Sequence, residues 1–97
     1  DALPILIFLE NGGARVSDVL DDAALASLDA VKNKQVYEFP STLETWDTPN
    51  LSSCLGTLWA YATLYPDNLS MDTVKQEAKD FYKTFYKIDV TNSDLGL

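Results

Sequence analysis

The sequence predicts an α/β fold in the order strand, helix, helix, strand, helix, helix. Three features predict it. Two short stretches, residues 3–9 and 35–39, have strand character. Apolar residues at helical spacing fill the segments between and after them. Breaker residues separate each pair of elements.

The first strand is read from Leu3 to Leu9. The run is continuously apolar instead of alternating, which suits a strand covered on both faces, as in a parallel sheet. Pro4 is tolerated among a strand's first residues. Glu10-Asn11-Gly12-Gly13 ends the run, and Val16, Val19 and Leu20 then carry a helical spacing. Asp21-Asp22 is an N-cap pair for a second short helix over Ala23–Leu28. Lys32-Asn33-Lys34 reads as a turn. Gln35 to Phe39 reads as an alternating strand that Pro40 terminates.

Residues 41–49 have turn chemistry and no clear period, so they form a loop, with Trp46 inside it. Asn50 is placed to cap a helix from Leu51 to about Tyr65. Its apolar positions Leu51, Cys54, Leu55, Leu58, Trp59, Ala62 and Tyr65 keep helical spacing. Pro66-Asp67-Asn68 breaks it. The last helix begins near Asp72, with Val74, Ala78, Phe81, Tyr82 and Phe85 in one stripe, and residues 88–97 read as a tail. Two strands do not make a doubly covered sheet unaided. An incomplete α/β layer is therefore expected, one domain over residues 1–97 that belongs to a larger chain.

Bulk composition narrows the function. Hydrophobic residues make up 46% of the 97, enough for one small core and outside the disordered range. Fifteen acidic against seven basic residues give a net charge of −8, which repels phosphate backbones and excludes nucleic acid as a partner. The chain has no histidine, so the commonest general base and transition-metal ligand are both missing. The lone Cys54 sits in the apolar helical pattern and reads as a buried packing thiol. No run approaches the ~20 apolar residues of a membrane span. Any export signal or lipid anchor is expected upstream of Asp1.

The order of motifs resembles the end of the siderophore, haem and cobalamin family of periplasmic binding proteins. There, a segment like DPAWQSLKAVKNGKVY follows an apolar strand and helix; then come WDRPSP, LLWLAKLLYPDLF and VKEFYKEFYGYDLT. Here the corresponding stretches read DDAALASLDAVKNKQVYEFP, TWDTPNLSSCLGTLWAYATLYPDNLS and VKQEAKDFYKTFYKIDVTN. Two departures concern packing and turn geometry. The glycine of KNGKVY is Lys34 here, so the tight turn is expected to rest on Asn33 in the left-handed conformation. Ala24 and Leu25 stand where the family commonly carries a tryptophan.

The resemblance implies a Rossmann-like lobe, most of the second of two lobes that close on a ligand. It implies the substrate-binding component of an ABC importer, outside the cytoplasm, in a periplasm or anchored at the cell surface. The implied ligand is an iron chelate, haem or cobalamin, and the implied macromolecular partner is the membrane permease. No resident cofactor or metal is implied, and the membrane is met only through the permease or an upstream lipid anchor. Members of the family present acidic residues to arginines of the transporter. Glu10, Asp18 and Asp21, with Asp22, are the candidates here.

In an open α/β sheet the loops beyond the carboxyl ends of the strands face the ligand crevice. Those loops are residues 10–13 and 41–47. Trp46 either offers its flat ring to a chelate or macrocycle or packs its loop onto the following helix. Tyr37 either aims its hydroxyl at the cleft or packs in the core. Glu44 either meets a cationic ligand group or stays solvated, and Asp47 either faces the ligand or bonds its own loop. Asn11 lies in the glycine turn, whose following helix end offers amides to an anion, although Glu10 opposes a negative guest.

Two other function classes remain to be weighed. A Rossmann-type enzyme fragment needs an acid, base or nucleophile at a strand end. Without histidine only carboxylates remain, and none is paired in sequence. An independent interaction domain would use the aromatic final helix, with Phe81, Tyr82, Phe85 and Tyr86 exposed to a partner.

Overall fold

The computed structural model describes residues 5–97. Leu3 and Pro4, read as the start of the first strand, lie outside the described residues. The elements are β1 (Ile7–Leu9), α1 (Val16–Leu20), a 3₁₀ turn (Ala23–Leu25), α2 (Asp29–Lys32), β2 (Val36–Glu38), α3 (Ser53–Leu64), α4 (Met71–Phe81), a π-helical turn (Tyr82–Tyr86) and α5 (Asn92–Leu95). The α/β order read from the sequence is thus the observed one, with α5 added. The chain divides into two compact units, residues 1–39 and 40–97.

In the first unit β1 and β2 pair in parallel, Ile7 with Val36, Phe8 with Tyr37 and Leu9 with Glu38. Alternation along each strand sorts the side chains onto two faces. Ile7, Leu9 and Val36 join Val19 and Val31 in a small aliphatic cluster, edged by Val16, Leu20 and Leu25. Phe8, Tyr37 and Phe39 share the opposite face, with ring centroids 6.4 Å (Phe8–Tyr37) and 5.5 Å (Phe8–Phe39) apart. Both faces of β1 are apolar, which is why its sequence does not alternate.

The helical segment expected over Ala23–Leu28 is split. Asp22 accepts a hydrogen bond from the Ala24 amide at 2.9 Å and starts the 3₁₀ turn, and α2 begins only at Asp29. The turn after α2 also differs from expectation. Asn33 keeps φ −91°, and Lys34 takes the left-handed conformation at φ 55°. The amides of Lys34 and Gln35 donate back to the carbonyls of Val31 (3.1 Å) and Ala30 (2.7 Å), the paired closure that ends many helices. That closure requires a left-handed residue one place beyond the cap, so the strain falls on the position where the resembled motif has glycine.

In the second unit α4 packs against both α3 and α5. Leu55, Trp59 and Ala62 of α3 are buried, as are Val74, Ala78 and Tyr82 on α4 and its continuation. Ser70 caps α4 by accepting from the Thr73 amide at 3.2 Å. The expected stripe runs correctly to Tyr82 and then fails, because Phe85 is 61% exposed. A π-helical turn has more residues per turn than an α-helix. It swings Phe85 outward and sets Tyr86 on the side of Tyr82, their rings 5.2 Å apart and nearly perpendicular.

Two further expectations are corrected. Cys54 is exposed and not a buried packing thiol. It belongs with Leu51, Leu58 and Tyr65 to the outward part of an apolar pattern that covers more of the helix than one packed face needs. The segment read as a tail is ordered. Thr91 and Asp94 cap α5 reciprocally, at 3.1 and 2.8 Å, and Leu95 is buried.

Candidate ligand-facing loops

The first candidate loop belongs to the first unit and follows β1. Its turn closes through the Gly13 amide to the Glu10 carbonyl at 3.3 Å, with Gly12 at φ 84°. Glu10 Cγ lies 3.1 Å from where a Cβ on Gly13 would stand, so the side chain folds over the turn it begins. Asn11 is half-buried in this turn. Asp18 accepts from the Arg15 amide at 3.0 Å and so closes the first turn of α1. Glu10 and Asp21 are exposed. Tyr37, on the aromatic face of β2, donates its hydroxyl to Gln35 Oε1 at 2.7 Å, two residues back on the same side of the strand.

The second candidate loop, residues 40–52, follows β2 and lies in the second unit. It is knotted by Asn50. The Asn50 amide donates to the Thr45 carbonyl at 2.7 Å and to Thr48 Oγ1 at 3.1 Å, and its Oδ1 accepts from the buried Ser52 hydroxyl at 2.7 Å. Thr45 and Thr48 also bond through their hydroxyls. Asn50 was expected to cap α3. Its side chain holds the loop instead, and its carbonyl accepts from both the amide and the hydroxyl of Ser53.

Trp46 is packed within the second unit. The residue is 3% exposed, and its indole N–H donates to the Tyr82 hydroxyl at 3.2 Å. Its carbonyl presses on α3 at Gly56, where a Cβ would come within 2.2 Å of that oxygen. Trp46 therefore offers no free ring face in this conformation; it bolts the loop down. Glu44 is half-buried and accepts a hydrogen bond from the Tyr86 hydroxyl at 2.7 Å. That bond to the Glu44 carboxylate, reinforced by desolvation and by the nearby negative charge, pushes the Tyr86 phenol up to about 12.

Tyr82 and Tyr86 are thus two posts on one side of the π-helical turn, and each holds a residue of the loop. Sequence reasoning placed Tyr82 in the apolar stripe, named Tyr86 only within the aromatic cluster of the final helix, and missed this function. Their four-residue spacing was visible, but the π-helical turn that aligns them was not. Gly56 was equally silent in the sequence. Phe81, Tyr82, Phe85 and Tyr86 are all engaged in ring contacts within the unit, and of the four only Phe85 is exposed. Among the described residues no group of three or more acidic or thiol side chains is arranged to hold a metal ion. Nor, among them, is any helix long and apolar enough to cross a membrane.

Comparison with known proteins points in one direction. No protein-family model matches the chain. A solved structure of a periplasmic solute-binding protein from Veillonella parvula superposes with a TM-score of 0.82 and 30% sequence identity, over 96% of this chain and 30% of that one. The molybdate-binding protein MolA of Haemophilus influenzae is 29% identical over 73 residues. That match takes in 74% of this chain and 21% of MolA, so the chain spans about a fifth of that relative's length. In sequence and in fold, the chain is similar over nearly its whole length to a portion of a periplasmic solute-binding protein.

Proposed function

We propose that this chain is one lobe of the extracytoplasmic solute-binding component of an ABC importer, holding part of a small-molecule site and releasing its solute to a permease. The observation that carries the proposal is the 30% identity and 0.82 TM-score over 96% of the chain. The component binds its solute without transforming it; both matched proteins are named for binding. As solute we propose an oxyanion of the molybdate kind, because the curated relative is a molybdate-binding protein. Iron chelates, haem and cobalamin form the second reading, supported by the motif order from residues 21 to 92.

Loop 40–52 is the proposed ligand-facing wall, and Trp46 and Glu44 fix its shape through Tyr82 and Tyr86. Glu10, Asp18 and Asp21 are the proposed permease contacts, since all three are exposed, Asp18 while also capping α1. A thermal-shift panel on the two-lobed protein tests the assignment. Ligand at 100 times its Kd adds about 2.7 kcal/mol to stability. A rise in Tm with molybdate alone supports the oxyanion reading, and a rise with haem, cobalamin or a ferric chelate alone supports the second. No shift with any of them, together with binding of a free sugar or amino acid, would overturn both.

A further inference from the structure

Helix α3 carries two apolar stripes where a surface helix carries one. Ser52, Leu55, Trp59 and Ala62 are buried. Cys54, Leu58 (37% exposed) and Tyr61 (43%) form a second stripe that faces outward, flanked beyond the helix ends by Leu51 (58%) and Tyr65 (36%). Within the helix the spacing of four and three residues is that of a helix seam, about 11 Å from Cys54 to Tyr61 at 1.5 Å per residue. Ser53–Leu64 contains no charged residue, in a chain that carries 22. A helix with a second apolar stripe and no charge is one covered on more than one side, because a solvated face would bear charge.

We infer that the outward stripe of α3 is a packing surface, covered in the working protein by an uncharged apolar face of further polypeptide belonging to the solute-binding architecture. The inference rests on the reading that this chain is one lobe of such a protein. Two observations select the occupant. The stripe has no charge to pair, so neither an acidic nor a basic surface is complemented by it. Five partly exposed side chains offer roughly half of the ~800 Å² per partner of a stable interface, too little for an independent dimer of this chain. Further chain in the same molecule meets no such threshold, because tethering removes the association cost. The matched proteins do carry more chain: this one covers 30% of the Veillonella protein and 21% of MolA. Tyr61 and Tyr65 suit the rim of the covered area, their rings 5.4 Å apart and the Tyr61 hydroxyl already accepting from Asn68 at 3.3 Å.

Cys54 is a native reporter within the stripe. Its reaction with dithionitrobenzoate is measured in the 97-residue chain and in the two-lobed protein, with Cys54→Ser as the blank. The inference expects free-thiol reactivity in the short chain and slowing by about a hundredfold or more in the long one, the mark of a site reached only by opening. A second variant, Leu58→Glu, is expected to lower the Tm of the two-lobed protein by about 4 °C or more and to leave the short chain within about 1 °C. Equal thiol reactivity in both proteins overturns the inference. So does protection in the short chain itself, where sedimentation as a dimer identifies a second copy as the cover and sedimentation as a monomer identifies the chain's own residues. No ligand is read, so failure here leaves the solute-binding reading standing, and failure of ligand binding leaves this result standing.

Discussion

The two compact units solve the same problem of order by different means. Among the described residues of the first unit, residues 1–39, the buried side chains are small and aliphatic: Val19, Ala30, Val31 and Val36. What shapes it is backbone geometry: a three-residue parallel ladder, the glycine turn at 10–13, and the left-handed closure at Lys34. The second unit buries Trp46, Trp59, Tyr82 and Leu95 and hangs its long loop on two tyrosine hydroxyls. A large aromatic side chain buries far more area than a valine, so removing one is felt more. The difference teaches where each half is vulnerable: the second to changes of side chain, the first to changes of backbone preference.

The sharpest way to break the contrast is Trp46→Ala. Loss of a buried indole is expected to cost about 3–5 kcal/mol, read by urea denaturation as a lower midpoint. Next comes Gly56→Ala, which forces a methyl into the Trp46 carbonyl and is expected to cost about 1–3 kcal/mol in the same assay. In the first unit the informative change is a gain. Lys34→Gly relieves a left-handed lysine and is expected to stabilise by about 0.5–1 kcal/mol, the net of relieved strain and added chain entropy. A loss instead would show that the Lys34 side chain contributes contacts outweighing its backbone strain.

The smallest effect concerns the Tyr86–Glu44 bond. The folded-state value of Tyr86, about 12, lies above the ordinary 10, so the folded protein holds this proton more tightly than the unfolded chain does. Its contribution to stability is complete below pH 10 and is lost as pH rises through about 12. Absorbance of tyrosinate against pH is expected to show a step near 12 that belongs to Tyr86. Tyr86→Phe removes that step, and Glu44→Gln moves it down, because the carboxylate is its main cause.

The same contrast explains what was legible in the sequence. In the first unit the breaker at 10–13, the cap at Asp22 and the strand character of 35–39 are local signals, and they placed the end of β1, a helical start after Asp22 and β2 to within a few residues. The left-handed residue was misplaced by one, because asparagine is the better left-handed residue in isolation while the closure after α2 dictates position, not preference. In the second unit α5 was missed, while α3 and α4 were legible from their apolar spacing. Their faces were not, since α3 is apolar on two sides and periodicity alone does not say which is packed. Nor does any sequence period reveal that the helix widens at Tyr82, and that widening sends Phe85 outward and brings Tyr86 to Glu44. The packing of Trp46 rests on Tyr82 and Gly56, 36 and 10 residues further along the chain, partners that its own sequence neighbourhood does not reveal.

The measurement that tests the central claim most directly is isothermal titration of sodium molybdate into the two-lobed protein, with the 97-residue chain as the comparison. The account predicts saturable one-to-one binding to the two-lobed protein and no saturable binding to the chain alone, because one lobe holds only part of the site. Equal binding by both would contradict the lobe assignment. Absence of heat with molybdate, followed by saturable binding of haem, cobalamin or a ferric chelate, would contradict the oxyanion assignment.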